Sequence, residues 1–211
     1  MKYKSILLFG PPGSGKGTQG KVIGQILGFR HVSTGDLFRA LDKNSEMGKF
    51  AAQYSSKGQL VPDDFTIKLW SQSMENWTKA GKLNPATDIL ILDGVPRNVA
   101  QAKLMQDQID VLALLCLTVS DMDEMVRRLR GRALKENRVD DADEKVIRNR
   151  FAVYEKETRP VLDFYPQEKI ANVDALQTPI HVLGDILTIL TPLRDAIDGA
   201  PAAKAPCCCG H

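Results

Sequence analysis
The sequence predicts an α/β fold in which a parallel sheet is covered by helices on both faces. Two observations carry this. Apolar runs at Ile6–Phe9, Ile89–Leu92, Val111–Thr118 and, more weakly, Lys169–Val173 alternate with segments of helical spacing. The runs are continuous rather than polar at every second position, the pattern of strands buried on both sides. The first two runs also end in turns that carry chemistry: a glycine-rich loop with Lys16, and the turn Asp93-Gly94-Val95-Pro96-Arg97. Open α/β sheets bind their ligands at the carboxyl ends of the strands. A chain of 211 residues suits one domain with small insertions.

The run Ile6–Phe9 leads into Gly10-Pro11-Pro12-Gly13-Ser14-Gly15-Lys16-Gly17-Thr18, then into a helical segment with Val22, Ile23, Ile26 and Leu27 as its apolar positions. Strand, glycine loop with lysine, and helix in that order form a phosphate-binding loop. The glycines let successive N–H groups turn inward, and the helix N-terminus adds partial positive charge. Lys16 supplies a mobile full charge. The general pattern places Ser or Thr directly after the lysine. Here Gly17 intervenes and the hydroxyl arrives at Thr18.

Residues 34–62 fit the sheet pattern poorly and read as short helices joined by Gly48 and Gly58, a helical insertion ending near Val61-Pro62. The run Ile89–Leu92 then delivers Asp93, a carboxylate placed to hold magnesium or its waters beside phosphates, and Gly94 and Pro96 turn the chain to present Arg97. Residues 141–158 predict a helix with Ile147, Phe151, Tyr154 and Thr158 on one side and Lys145, Arg148, Asn149 and Lys156 elsewhere; Pro160 ends or bends it. The stretch 199–211, rich in Ala, Pro and Gly, is expected to be a disordered tail.

Composition narrows the function. The net charge of +2, from 28 basic and 26 acidic residues, argues against a basic nucleic-acid-binding surface. No apolar run approaches the ~20 residues that cross a bilayer, and the start runs straight into the first strand without the form of a signal peptide. Of four cysteines, Cys116 lies in an apolar run and Cys207, Cys208 and Cys209 crowd the end, so no disulfide framework is drawn and a cytoplasmic location is expected. Arginines recur at 39, 97, 128, 130, 132, 138, 148 and 150. For any one of them a solvated helix face is the common explanation. Together with a phosphate loop they suit phosphoryl transfer, in which guanidinium forks bind phosphate oxygens bidentately.

These motifs resemble the adenylate kinases of the nucleoside-monophosphate kinase family, in family order from about Ser5 to Tyr165. The matching segments are Gly10 to Gln19, Ser33-Thr34-Gly35-Asp36-Leu37-Phe38-Arg39, Gly58-Gln59-Leu60-Val61-Pro62-Asp63, Leu92 to Arg97 with Gln101, Arg128 to Arg132, and Arg138-Val139-Asp140-Asp141. The family loop also has Gly before Thr, which accounts for Gly17. The resemblance implies a phosphate-loop three-layer sandwich forming one domain over 1–198. Its parts are a core (1–32, 63–131 and 139–198), a monophosphate-binding insertion (33–62) and a short lid (132–138). It implies reversible transfer of the ATP γ-phosphoryl group to AMP, giving two ADP, by a cytoplasmic monomer with magnesium, without nucleic acid or membrane partners. The short lid has no cysteine or histidine between Arg132 and Arg138, so no zinc is expected there.

Residue by residue, the resemblance assigns Gly13, Ser14, Gly15, Lys16, Gly17 and Thr18 to the ATP phosphates, with Arg128, Arg132 and Gln177 on the ATP side. It assigns Thr34, Gly35, Arg39, Gln59, Leu60, Val61, Gly94, Val95, Pro96, Arg97 and Gln101 to AMP. Arg138 and Arg150 clamp the transferred group, and Asp93 organises magnesium. Val95 stands where the family has phenylalanine, and the spacing after Asp141 leaves Arg148 as the alternative to Arg150. Pyrimidine-directed relatives have Ala and Asn at the positions of Thr34 and Gln101, so this pair favours adenine. A non-catalytic nucleotide-binding protein is the alternative from another class; it would be expected to have lost some of Lys16, Arg39, Asp93, Arg97, Arg132 and Arg138, all of which are present. Cys207, Cys208, Cys209 and His211 have side chains that suit zinc or copper, but their setting favours a tail without catalytic role.

Overall fold
The computed structural model describes residues 2–136 and 143–199. The expectations for Arg138, for the end of the lid and for the cysteine tail concern residues outside these. Five parallel strands form the sheet: β1 (Tyr3–Phe9), β2 (Phe29–Ser33), β3 (Ile89–Asp93), β4 (Ile109–Thr118) and β5 (Ile170–Asp174), in the order β2-β3-β1-β4-β5. The helices are α1 (Lys16–Ile23), α2 (Thr34–Ala40), α3 (Glu46–Ser55), α4 (Asp63–Lys79), α5 (Val99–Met105), α6 (Met122–Glu136), α7 (Glu144–Val153) and α8 (Pro179–Asp198).

Successive residues of a strand point to opposite faces, and this splits the core in two. Leu7, Phe9, Leu90, Leu92, Leu114 and Cys116 face one side, where they pack with Trp70 and Met74 of α4 and Met105 of α5. Ile6, Leu8, Ile89, Ile91, Leu115 and Leu117 face the other, against Ile23 of α1 and Val182, Ile186 and Leu190 of α8. The three layers expected from the unbroken apolar runs are therefore present.

Four local readings change. The strand β2 lacks an apolar run because Arg30 and His31 lie on a half-exposed edge, with Phe29 and Val32 buried. The helix α1 ends at Ile23, so that only Ile23 of its four apolar positions enters the core and Leu27 is 88 % exposed. Close packing on β2 explains the shape of this segment: a Cβ at Gly20 or Gly24 would stand 2.4 or 2.7 Å from His31. The predicted helix 141–158 is α7 followed by a π turn over Tyr154–Thr158 and a 3-10 turn over Arg159–Phe164, with Pro160 inside the latter. Ile147 and Thr158 are buried as expected.

The insertion is helical, as read, but Gly48 lies within α3 rather than between helices. A Cβ there would approach the carbonyl oxygen of Asp42 to 2.1 Å, so the turn before α3 can sit against it only because the side chain is missing. Gly48→Ala is expected to force that turn outward and to destabilise the protein by about 1–3 kcal/mol, read as a lowered denaturant midpoint.

Candidate active site
The loop between β1 and α1 is built by its glycines. Gly13 and Gly15 adopt φ of +86° and +93°, a region L side chains avoid, and Gly15 is the residue from which α1 starts. Lys16 folds back over the loop and donates to the carbonyl oxygens of Gly10 at 2.6 Å and Pro11 at 3.0 Å. Ser14 is buried, with its hydroxyl unpartnered at the floor of the loop. Gly17 and Thr18 open α1, and a Cβ on Gly17 would lie 3.5 Å from Asp93 Oδ2. The carboxylate at the end of β3 thus sits beside the first turn of α1.

Electrostatics at this point are unusual. Burial pushes the Lys16 ammonium down from 10.5 to about 8, against the opposing pull of Asp93, and the charges of Arg97, Arg150 and Arg132 push it the same way. Arg97 is also lowered, by burial first and then by the charge of Arg150, with Asp93 opposing and Arg39 adding. Burial works to raise the Asp93 carboxyl, but His31, Lys16 and Arg97 outweigh it and hold it below the usual carboxylate value. The imidazole Nε2 of His31 is 3.6 Å from Asp93 Oδ2. Residues from the glycine loop, the β3 turn, α6 and α7 are therefore gathered around one point at the carboxyl ends of the strands.

Of the two arginines left open by the sequence, Arg150 is the one that acts on Lys16 and Arg97. Arg148 is turned to Glu144, with bonds of 2.7 and 3.0 Å. Gly58 makes this possible, since a Cβ there would come within 2.8 Å of Arg150 Cγ. Arg132 lies inside α6, which continues to Glu136, so the expected lid begins as helix. Glu144 also pairs with Arg130 and so ties α6 to α7. Arg128 donates to Glu124 and to the carbonyl oxygen of Ala175, each at 2.9 Å, bringing α6 to the end of β5. Gln177 is linked instead to α8, its amide nitrogen donating to Asp185 at 2.9 Å.

A second wall lies between the insertion and the β3 turn. Thr34 is buried and donates to the carbonyl oxygen of Gly94 at 2.8 Å. Arg39, on the same helix near Gly35, pairs with Asp36. Gly94 turns at φ +84°, and a Cβ there would strike the Thr34 hydroxyl at 2.7 Å. Arg97 Nε donates back to Gly94 O at 3.0 Å. Val95 is buried in the core ahead of Pro96. Val61 is buried, Leu60 half-buried and Gln59 exposed, and this loop borders a cleft of about 300 Å³ that also touches Asp63 and Asn98.

Sequence reasoning missed Asp63, Asn98, Asp36 and His31. Asn98 caps α5: its Oδ1 accepts from the Gln101 N–H at 2.7 Å, and Asn three residues ahead of Gln is the signal that could have marked it. His31 had no signal, because its strand was not recognisable.

Comparison with known proteins identifies the family of the chain. A family model described as adenylate kinase matches residues 8–170. The chain is 38 % identical over 196 residues to the adenylate kinase of a Cyanothece species, covering 90 % of this chain and 96 % of that protein. It is 40 % identical over 192 residues to that of Mycobacterium ulcerans, covering 88 % and 98 %. A third relative, the adenylate kinase of Phocaeicola vulgatus, is 34 % identical over 196 residues, covering 90 % and 99 %.

Proposed function
Since the chain belongs to the adenylate kinase family, and so catalyses reversible transfer of the ATP γ-phosphoryl group to AMP to give two ADP, we propose that the transfer takes place at the cluster around Lys16. The observation that carries this is the gathering of like charges there: Arg97, Arg132 and Arg150 all depress the Lys16 pKa. Groups of one sign held together in a half-buried place are matched by a ligand of the other sign, and a polyphosphate is such a ligand.

In this reading Gly13 to Thr18 cradle the ATP phosphates through inward N–H groups and the start of α1. Lys16 follows the moving group, and Arg97, Arg132, Arg138 and Arg150 neutralise the charge that spreads over it. The acceptor is already an ionised phosphate, so no general base is needed. Arg128 and Gln177 serve the ATP side. Thr34, Gly35, Arg39, the Gln59-Leu60-Val61 loop, Gly94, Val95, Pro96 and Gln101 hold AMP. The insertion (33–62) and the short lid (132–138) close over the substrates and keep water from the triphosphate.

The residues present also fit magnesium. Asp93 is held ionised beside the first turn of α1, within 3.5 Å of where a Cβ on Gly17 would stand. Magnesium keeps several waters and asks for only one or two carboxylates besides the phosphates. Bound there, it would supply positive charge that offsets the charge of the phosphates. Among the described residues no group of three or more His, Cys, Asp or Glu is placed to hold a metal by itself. Nor is any described helix long and apolar enough to cross a membrane. The reading includes a cytoplasmic monomer without lid zinc.

AMP is expected as the preferred acceptor. The Thr34 hydroxyl proton is committed to Gly94 O, which leaves its oxygen to accept, as an amino group requires. The test is a coupled assay of AMP, CMP, UMP and GMP with ATP and magnesium, for wild type and Gln101→Ala. Loss of the amide is expected to lower the AMP preference by about 1–3 kcal/mol. A wild type that prefers CMP or UMP would transfer the reading to a pyrimidine acceptor. ADP production from ATP at the same rate without AMP would remove the transfer assignment.

A further inference from the structure
We infer that Asp63 is a positioning residue that fixes which way round the Gln101 amide lies, and thereby sets the acceptor base to adenine rather than hypoxanthine or guanine. This rests on the reading of Gln101 as a residue that meets the base.

Gln101 is 1 % exposed, so its protein partners determine how its amide is held. Its Oε1 accepts from the backbone N–H of Arg97 at 2.7 Å. Its Nε2 donates to Asp63 Oδ1 at 2.8 Å. Asn98 Nδ2 donates to the same carboxylate oxygen at 2.9 Å and holds it in place, while its own Oδ1 caps α5 at the Gln101 N–H. A backbone N–H only donates, and an ionised carboxylate only accepts. Turning the amide over would set nitrogen against N–H and oxygen against carboxylate, so the two partners together leave one orientation.

That orientation matters for the base. A side-chain amide offers a donor and an acceptor side by side, and each amide atom here keeps one unused position, a second N–H and a second lone pair. Adenine presents an amino donor next to a ring-nitrogen acceptor. Hypoxanthine and guanine present a carbonyl acceptor next to a ring N–H in the same place. An amide free to turn over would serve either order, whereas a pinned one serves one. Asp63 is also the first residue of α4, directly after Val61-Pro62, so the pin joins the acceptor loop to the start of α5.

The experiment measures kcat and KM for AMP, IMP and GMP at saturating ATP, and KM for ATP, in wild type, Gln101→Ala, Asp63→Ala, Asp63→Asn and Asn98→Ala. Asp63→Ala is expected to lower the AMP-to-IMP ratio of kcat/KM by about tenfold, through the nucleotide-monophosphate KM, with the ATP KM unchanged. Asp63→Asn, which retains an oxygen that can accept, should recover most of the ratio. Asn98→Ala, which removes the cap and the bond that steadies the Asp63 carboxylate but leaves the Asp63–Gln101 bond, should lower stability and reduce the ratio less than Asp63→Ala does. If Asp63→Ala does not fold, Asp63→Ser takes its place with the same expectation. A collapsed ratio in Gln101→Ala but an unchanged one in the Asp63 variant overturns the positioning role alone. An unchanged ratio in Gln101→Ala overturns the base-reading role of Gln101, and the inference with it.

Discussion
Lys16→Met is expected to reduce turnover by at least ~10²-fold and at the same time to make the ligand-free protein more stable. The first effect follows from removing a charge that acts most strongly when the phosphoryl group is in flight. The second follows from the lowered pKa. Burial and the charges of Arg97, Arg150 and Arg132 hold Lys16 at about 8, against 10.5 ordinarily. Below pH 8 the ammonium is charged in both folded and unfolded chains, and the folded state carries the full penalty of holding it. Between about pH 8 and 10.5 the folded protein sheds this proton first, and the penalty fades. Methionine has similar length and no charge. Allowing for solvent at the half-buried head and for the two bonds to Gly10 and Pro11, the gain at pH 7 should be about 1–2 kcal/mol, and it should vanish by pH 10.5. Denaturant unfolding of both proteins at the two pH values checks this, beside their turnover. A methionine variant with near wild-type turnover would place catalysis elsewhere.

Asp93→Asn is expected to have an effect of similar size for a different reason. The change keeps the shape of the side chain and removes the charge that raises the Lys16 pKa and opposes the lowering of Arg97. Turnover should fall by about 10²-fold, and the magnesium concentration for half-maximal rate should rise. Lys16 should titrate below 8, so the alkaline fall in kcat/KM for ATP should move to lower pH. The measurement is a pH profile of both proteins at several magnesium concentrations. A variant with an unchanged profile and unchanged magnesium dependence would show that Asp93 neither tunes Lys16 nor holds the ion.

Local chemistry was legible in the sequence wherever one residue type has few structural uses. A glycine loop ending in Lys16 after a buried run, and an aspartate ending the next buried run, mark both halves of the cluster in the sequence itself. What was not legible depended on neighbours far along the chain. The strand β2 has Arg30 and His31 where an apolar run was sought, because it lies at the sheet edge and Arg30 is occupied by Asp88 and the carbonyl oxygen of Lys82. The end of α1 was misjudged because Val22, Ile26 and Leu27 have helical spacing yet face solvent. The directions of Arg148 and Arg150 were equally out of reach, because they depend on Glu144, which holds Arg148, and on Gly58, which lets Arg150 pass close by. Asp63 carried no signal of its own beyond its place in a matching segment, because its bond to Gln101 spans 38 positions.

The order β2-β3-β1-β4-β5 has a consequence for the time course of synthesis. The strand β1 is made before the other four and occupies the middle of the sheet, and both its neighbours are made much later, at residues 89–93 and 109–118. The phosphate loop hangs from that strand, so it has no fixed frame while the chain is half made. One face of the strand then waits longer still, because Ile6 and Leu8 are covered by Val182, Ile186 and Leu190 in the last helix. The nascent chain therefore carries a strongly apolar strand unpaired until β3 has been made, a stretch in which holding chaperones have a natural target.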